Sequence, residues 1–207
     1  MLDIYVINLQ HRTDRLEHIV NIFGKNFNLI RVDAIKHEYG LIGCFMSHQK
    51  CLQIAKEKNL NNIIVIEDDC TINPYYANNF ADKINDIKTF LDNYEDWDIF
   101  VGGCTKMSEQ NIVKKIDFNN IIEINKANTT HFMIYNSSCY DFFLDFKDFN
   151  TAIDAVWHYK LRGLTMAPFI AYQLVGYSDI EKKAINYSRV FRSSERKIFE
   201  YLAKNNL

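Results

Sequence analysis

The chain has 207 residues, with Lys+Arg 24 against Asp+Glu 26 and a formal net charge of -2. Hydrophobic residues make up 48%, with only Gly 7 and Pro 2, which excludes a collagen-like, coiled-coil or disordered chain. The near-neutral balance argues against nonspecific binding to nucleic acid, which needs a basic excess to neutralise phosphates, and leaves room for a local basic pocket.

The first apolar run breaks at Asn8 and lacks a basic flank, so it is not read as a signal peptide. No stretch approaches the roughly 20 apolar residues of a membrane span. The five cysteines are scattered without paired metal spacing, and are expected as reduced thiols, several of them in the core. A cytoplasmic setting is the expectation.

Residues 2–9 read as a buried strand, centred on Tyr5, Val6 and Ile7. Residues 14–23 carry Leu16, Ile19, Val20 and Phe23 at helical spacing, with Thr13 as N-cap. Residues 29–34 suit a second strand and 38–43 a loop. Residues 47–58 form a helical pattern with Cys51, Leu52 and Ala55 on one face. Ile63 to Ile66 is a continuous β-branched run, the mark of a strand covered on both faces. It ends in Glu67-Asp68-Asp69.

Further helices are expected over 82–91, 138–146 and 152–161, and strands over 97–101, 131–135 and 165–172, the last with an edge or bend at Pro168. Beyond Ser178 the chain turns charged, and residues 189–207 read as a loosely packed helix. Strands alternating with helices predict one α/β domain spanning 1–207, with a central, mainly parallel sheet flanked by helices.

Three features carry chemistry. The acids 67–69 stand at a strand end, where open α/β sheets bind ligands. Adjacent carboxylates repel, and a divalent cation such as Mn²⁺ or Mg²⁺ relieves both repulsion and burial cost. An exposed acidic loop has the same sequence. Arg12 and Arg15 lie three apart after the first strand, suited to one face and to phosphate; a solvated helix start reads the same way. Gly43 to His48 opens a helix, whose N-terminus attracts anions, with Ser47 and His48 in reach; a capped helix entry with a surface histidine is the plain alternative.

The order of these pieces resembles glycosyltransferase family 25. The matching elements are Ile7-Asn8-Leu9 with Arg12 and Arg15, then Val32-Asp33-Ala34, then Gly43-Cys44 with Ser47-His48, then Ile66-Glu67-Asp68-Asp69. Weaker matches follow at residues 130–135, at Asp154, and at Gln173 with Ser178-Asp179-Ile180.

The resemblance implies a GT-A type nucleotide-sugar-binding fold and a UDP-sugar donor, UDP-galactose foremost. It implies Mn²⁺ or Mg²⁺, held by Glu67 and Asp69 with His131 as third ligand or acceptor contact. Glu67 and Asp69 would point together if the strand persists. Asn8, Arg12, Arg15 and Asp68 would serve the donor, with Asp33 and Ala34 near uracil or ribose and Ser47 and His48 nearby. An inverting transfer to a glycan or glycosylated-protein hydroxyl needs a general base. Asp154 is the first choice and Asp179 its rival, either as base or as a metal or acceptor contact. Trp157 and His158 offer an acceptor-stacking surface or a half-buried helix face. Peripheral membrane association is compatible with this family. A catalytically degenerate nucleotide-sugar binder, a metal-dependent phosphohydrolase or nucleotidyltransferase, and a nonenzymatic interaction module are the alternatives.

Overall fold

The computed structural model of the chain describes residues 1–116, 120–180 and 182–205. An eight-stranded sheet runs through the middle in the order β2-β1-β3-β8-β5-β9-β7-β6. Its members are β1 (Asp3–Asn8), β2 (Asn28–Asp33), β3 (Asn62–Glu67), β5 (Ile99–Val101), β6 (Ile112–Lys115), β7 (Ile121–Ile124), β8 (Phe132–Asn136) and β9 (Gly163–Met166). Two short pairs lie outside it: β4 (Cys70–Ile72) with β10 (Ala171–Gln173), and the hairpin β11 (Gly176–Ser178) with β12 (Lys183–Ile185). The helices are α1 (Thr13–Phe23), α2 (Gly40–Glu57), α3 (Phe80–Asn93), α4 (Tyr140–Leu144), α5 (Ile153–Val156) and α6 (Ser188–Lys204).

The expected α/β architecture, a central sheet flanked by helices, is the one found. The parallel character belongs to β2-β1-β3 and β5-β9, while β8 runs antiparallel to both β3 and β5. The hairpin β6-β7 extends the far edge, antiparallel to β9. The sheet is therefore mixed. Strand periodicity alone does not report direction, which is set by the connections.

Side-chain alternation sorts the core into two layers. Ile4, Val6, Ile64 and Ile66 pack on one face with Ile19 and Phe23 of α1 and Ile84 and Ile87 of α3. Tyr5, Ile7, Ile63 and Val65 face the other way, toward Phe45, Cys51 and Leu52 of α2 and Phe191 and Ile198 of α6. Residues 189–207 are thus not loosely packed over their described part: Phe191, Ser194, Ile198 and Leu202 are buried. The spacing of these four at one helical face closes the layer over the sheet. The last two residues of that stretch, 206 and 207, lie outside the described set.

Several expected boundaries move for local reasons. Arg12, not Thr13, holds the N-cap position of α1, and no side chain caps it. Helix α2 begins at Gly40, so the expected loop 38–43 is partly its first turn. Gly43 permits this: a Cβ there would stand 2.5 Å from the Ile35 carbonyl oxygen. Ser47 Oγ ties the same contact, accepting from Ile35 N at 2.8 Å and donating to Gly43 O at 2.6 Å. The expected helix 152–161 is one turn long, and Tyr159 beyond it has φ 59°. The expected strand 165–172 is two strands, β9 and β10, separated at Pro168.

Candidate functional site

Parallel pairing places the carboxyl ends of β1, β2 and β3 side by side, with Asn8 opposite Asp33 and Ile7 opposite Glu67. Antiparallel β8 begins at the same end, where Glu67 N donates to His131 O at 3.0 Å. A cavity of about 400 Å³ opens there. Ligands of open α/β sheets bind at this end. Its floor holds Glu67, Asp68 and Asp69, and its walls come from the start of α2, residues 34–38 and the β11-β12 hairpin region.

Alternation decides where each acid goes. Glu67 is the last residue of β3 and faces the α2 layer with Val65. There its carboxylate accepts from Thr130 Oγ1, and Oε1 lies 3.4 Å from His48 Nε2 and 4.0 Å from Cys44 Sγ. Asp68 falls on the α1 side, where Oδ1 accepts from Arg15 Nη1 and Oδ2 from Asn8 Nδ2, both at 2.8 Å. The strand stops at Glu67, so Asp68 and Asp69 form a turn and the strand spacing that would align Glu67 with Asp69 does not persist. Asp69 Oδ2 accepts from Gln173 Nε2 at 2.9 Å and from Arg15 Nη1 at 3.4 Å.

Electrostatics divides the three acids. Burial pushes Glu67 up, but His48 and Thr130 outweigh it and hold the carboxyl below its usual range. Burial raises Asp68 against the pull of Arg15 and Asn8. Asp69 is pushed up to about 7, by burial first and then by the Glu67 charge, with Arg15 and Gln173 opposing. A buried carboxylate this short of compensation invites a cation. Asp69 Oδ1 and Gln173 Oε1 are buried without a hydrogen-bond partner among the described residues. Both are hard oxygen donors from residues lining the cavity, and they fit Mg²⁺ or Mn²⁺.

The arginines act as fasteners as well as charges. Arg15 Nη2 donates to Tyr177 O at 2.5 Å, tying the β11-β12 hairpin to the acid turn. Arg12 Nη1 donates to Asp179 Oδ2 at 2.6 Å, and Asp179 lines the cavity. Asn8 is fully used: Nδ2 donates to Asp68 and to Arg12 O, and Oδ1 accepts from Arg31 Nε.

Of the sequence-derived candidates, Arg15, Ala34, Ser47, His48, Glu67, Asp68, Asp69 and Asp179 line the cavity. Ser47 spends its hydroxyl on the backbone bonds described above. Asn8 and Arg12 support that wall from behind. Asp33 points away, largely exposed and paired with Arg31 at 2.7 Å.

His131 is not brought to the cavity. It is buried under Phe191, its rings 5.1 Å apart by centroid, and Nε2 donates to Ala171 O at 3.2 Å. Burial lowers it to about 4, so the ring is neutral at pH 7. Asp154 does not line the cavity either. Its Oδ2 accepts from Thr129 N at 2.9 Å and holds Thr129 at φ 90°, a left-handed conformation that costs a β-branched residue about 1–3 kcal/mol. That loop delivers Thr130 to Glu67. Trp157 is buried, and His158 Nε2 donates to Ala127 O at 2.8 Å, so this pair forms no stacking surface. Sequence reasoning missed Thr130 and Tyr135 as site residues. The antiparallel register of β8 puts 131, 133 and 135 on the Glu67 face, which accounts for Tyr135, whereas Thr130 precedes the strand and reaches Glu67 through the left-handed turn at Thr129.

An acid turn clamped by arginine stands at the carboxyl ends of parallel strands, the position at which open α/β sheets bind ligands. The model of Glycosyltransferase family 25 (LPS biosynthesis protein) matches residues 38–157, more than half of the sequence. Procollagen galactosyltransferase 1-A of Xenopus laevis is 26% identical over 134 residues, covering 51% of this chain and 21% of that protein. A glycosyltransferase 25 family member of Drosophila melanogaster is 24% identical over 136 residues, covering 52% and 22%. The matched part thus spans about a fifth of these relatives. Among solved structures, a glycosyltransferase involved in glycosylation of the major capsid of PBCV-1 has 11% identity and a TM-score of 0.39, over 69% of this chain and 63% of that one. The chain belongs to glycosyltransferase family 25. No helix among the described residues is long and apolar enough to cross a membrane.

Proposed function

We propose that the chain transfers a hexose, galactose foremost, from a UDP-sugar to a hydroxyl of a glycan or glycosylated protein, with inversion. The observation that carries this reading is the acid turn: Glu67, Asp68 and Asp69 share one cavity with Arg15, and Asp69 Oδ1 has no hydrogen-bond partner among the described residues. Family membership and the names of the galactosyltransferase relatives support the reaction class.

Asp69 Oδ1 and Gln173 Oε1, the buried oxygens left without a hydrogen-bond partner among the described residues, would hold Mn²⁺ or Mg²⁺. Such an ion supplies Lewis-acid stabilisation of charge on the leaving nucleotide. Arg15, already at the acids, adds a guanidinium suited to phosphate oxygens. Ala34 and Ile35 at the end of β2 offer a small apolar wall for a flat base or ribose. Asp179 is the base of choice, because it reaches the cavity and Asp154 does not. As base it takes the proton of the acceptor hydroxyl as that oxygen attacks the anomeric carbon.

The test is release of free UDP from a panel of UDP-sugars, with Mn²⁺ or with EDTA, in wild type and Asp69→Ala. Release from one donor that needs both metal and Asp69 supports the reading. Turnover of an aryl phosphate instead would support the phosphohydrolase alternative.

A further inference from the structure

Cys44 and His48 lie one turn apart on α2, on the side facing Glu67. All three residues line the cavity. Their ligand atoms, Cys44 Sγ, a His48 ring nitrogen and a Glu67 carboxylate oxygen, lie within 4.8 Å of one another. Cys44 Sγ also lies 3.9 Å from Thr130 Oγ1, the hydroxyl that bonds Glu67.

We propose that Cys44, His48 and Glu67 form a thiolate–imidazole–carboxylate site for a thiophilic divalent cation of the Zn²⁺ class, distinct in chemistry from the all-oxygen site at Asp69. Sulfur and imidazole select Zn²⁺ or Co²⁺, whereas Mg²⁺ and Mn²⁺ favour carboxylate and water. A tetrahedral ion with bonds of about 2.0–2.3 Å has ligand-to-ligand edges of about 3.3–3.8 Å. The His48–Glu67 separation is 3.4 Å and the Cys44–Glu67 separation 4.0 Å, so two of the three edges stand near that length before any ion enters.

The supporting contacts are of the kind metal sites use. His48 Nδ1 is 2.9 Å from the Tyr135 hydroxyl, which fixes the ring with Nε2 turned to Glu67. Thr130 bonds the Glu67 carboxylate from the other side. Three protein ligands leave a fourth position, and the cavity gives an entry path to it. On binding, the Cys44 S–H bond breaks, an S–metal bond forms, and the proton goes to solvent, so uptake weakens as pH falls. The remaining cysteines, Cys51, Cys70, Cys104 and Cys139, are all buried, whereas Cys44 is partly exposed.

The experiment is a Co²⁺ titration of the EDTA-stripped full chain, followed by absorption. The expected result is one equivalent of Co²⁺ with a thiolate-to-cobalt charge-transfer band and visible bands of tetrahedral strength, both removed by Zn²⁺ but not by excess Mg²⁺. Cys44→Ala abolishes the charge-transfer band. Glu67→Gln, whose amide keeps a partner for Thr130, retains the band and weakens Co²⁺ binding by about tenfold or more. Glu67→Gln also serves if Cys44→Ala does not fold. Absence of the band in wild type, its survival in folded Cys44→Ala, or unchanged affinity in Glu67→Gln overturns the proposal. None of these readouts depends on sugar transfer.

Discussion

Replacing Arg15 with Met probes how the acid turn is held. The side chain is nearly buried, at 12% exposure, and Asp68 and Asp69 are at 9% and 7%. Met keeps much of the apolar stem and deletes the charge, so packing changes little. The lost bonds are those to Asp68, Asp69 and Tyr177 O. Removing one partner of a buried ion pair costs about 3–5 kcal/mol, because the other charge is left uncompensated. Two acids are stranded here, but both already have raised affinities for protons and take them up in response. The low end, about 3 kcal/mol, is therefore expected at pH 8. For a chain of this size that lowers Tm by roughly 6–12 °C.

The pH dependence follows from Asp69, whose carboxyl is pushed up to about 7 in the folded chain from its ordinary value of 3.8. The folded state binds the proton more tightly than the unfolded one. Stability from this group is complete below about pH 4 and is lost as pH rises through about 7. Losing Arg15 raises the folded affinity further, so the penalty is largest at pH 8 and shrinks at pH 5. Urea unfolding of wild type and variant at both pH values reads this directly. A loss under about 1 kcal/mol at pH 8, or an equal loss at both pH values, would refute the reasoning.

Asp69→Asn removes the same titration, and should stabilise the metal-free protein above pH 7 while cancelling the stabilisation by Mn²⁺ in thermal melts. Gly43→Ala drives a methyl into the Ile35 carbonyl and should cost about 1–3 kcal/mol in urea unfolding, with no loss indicating that the loop yields freely. Tyr135→Phe strands His48 Nδ1 in the core and should cost about 1–3 kcal/mol, read the same way. Asp179→Asn should lower kcat by about 10²–10⁴-fold with UDP affinity retained, whereas Asp154→Asn should leave kcat within a few-fold. The opposite order would return the base to Asp154.

The first strands and the acid turn were legible because their signals are local. The β-branched run 63–66 announces a doubly covered strand, and the acids at its end announce the ligand edge. Alternation along β3 even explains why Glu67 and Asp68 part company, once the strand end is known. Whether the strand runs on past Glu67 was not legible, because Glu67-Asp68-Asp69 carries no Gly or Pro to mark the break. Gly40 and Gly43 read as loop residues, yet Gly43 serves close packing of a helix. The walls of the cavity were hidden for a different reason. Pairing of β4 with β10 joins residues about a hundred positions apart, and Gln173 reaches Asp69 only through it. His131 and Asp154 carry the right chemistry, but register and loop path spend them on Ala171 and Thr129.

The most direct measurement of the central claim is calorimetric binding of UDP with and without Mn²⁺, in wild type and Asp69→Asn. Mn²⁺ is predicted to tighten UDP binding by about tenfold or more in wild type, a coupling of about 1.4 kcal/mol or more, and to have no effect in the variant. Equal UDP binding with and without metal, or a metal effect that survives in Asp69→Asn, would contradict the acid turn as the metal–nucleotide site.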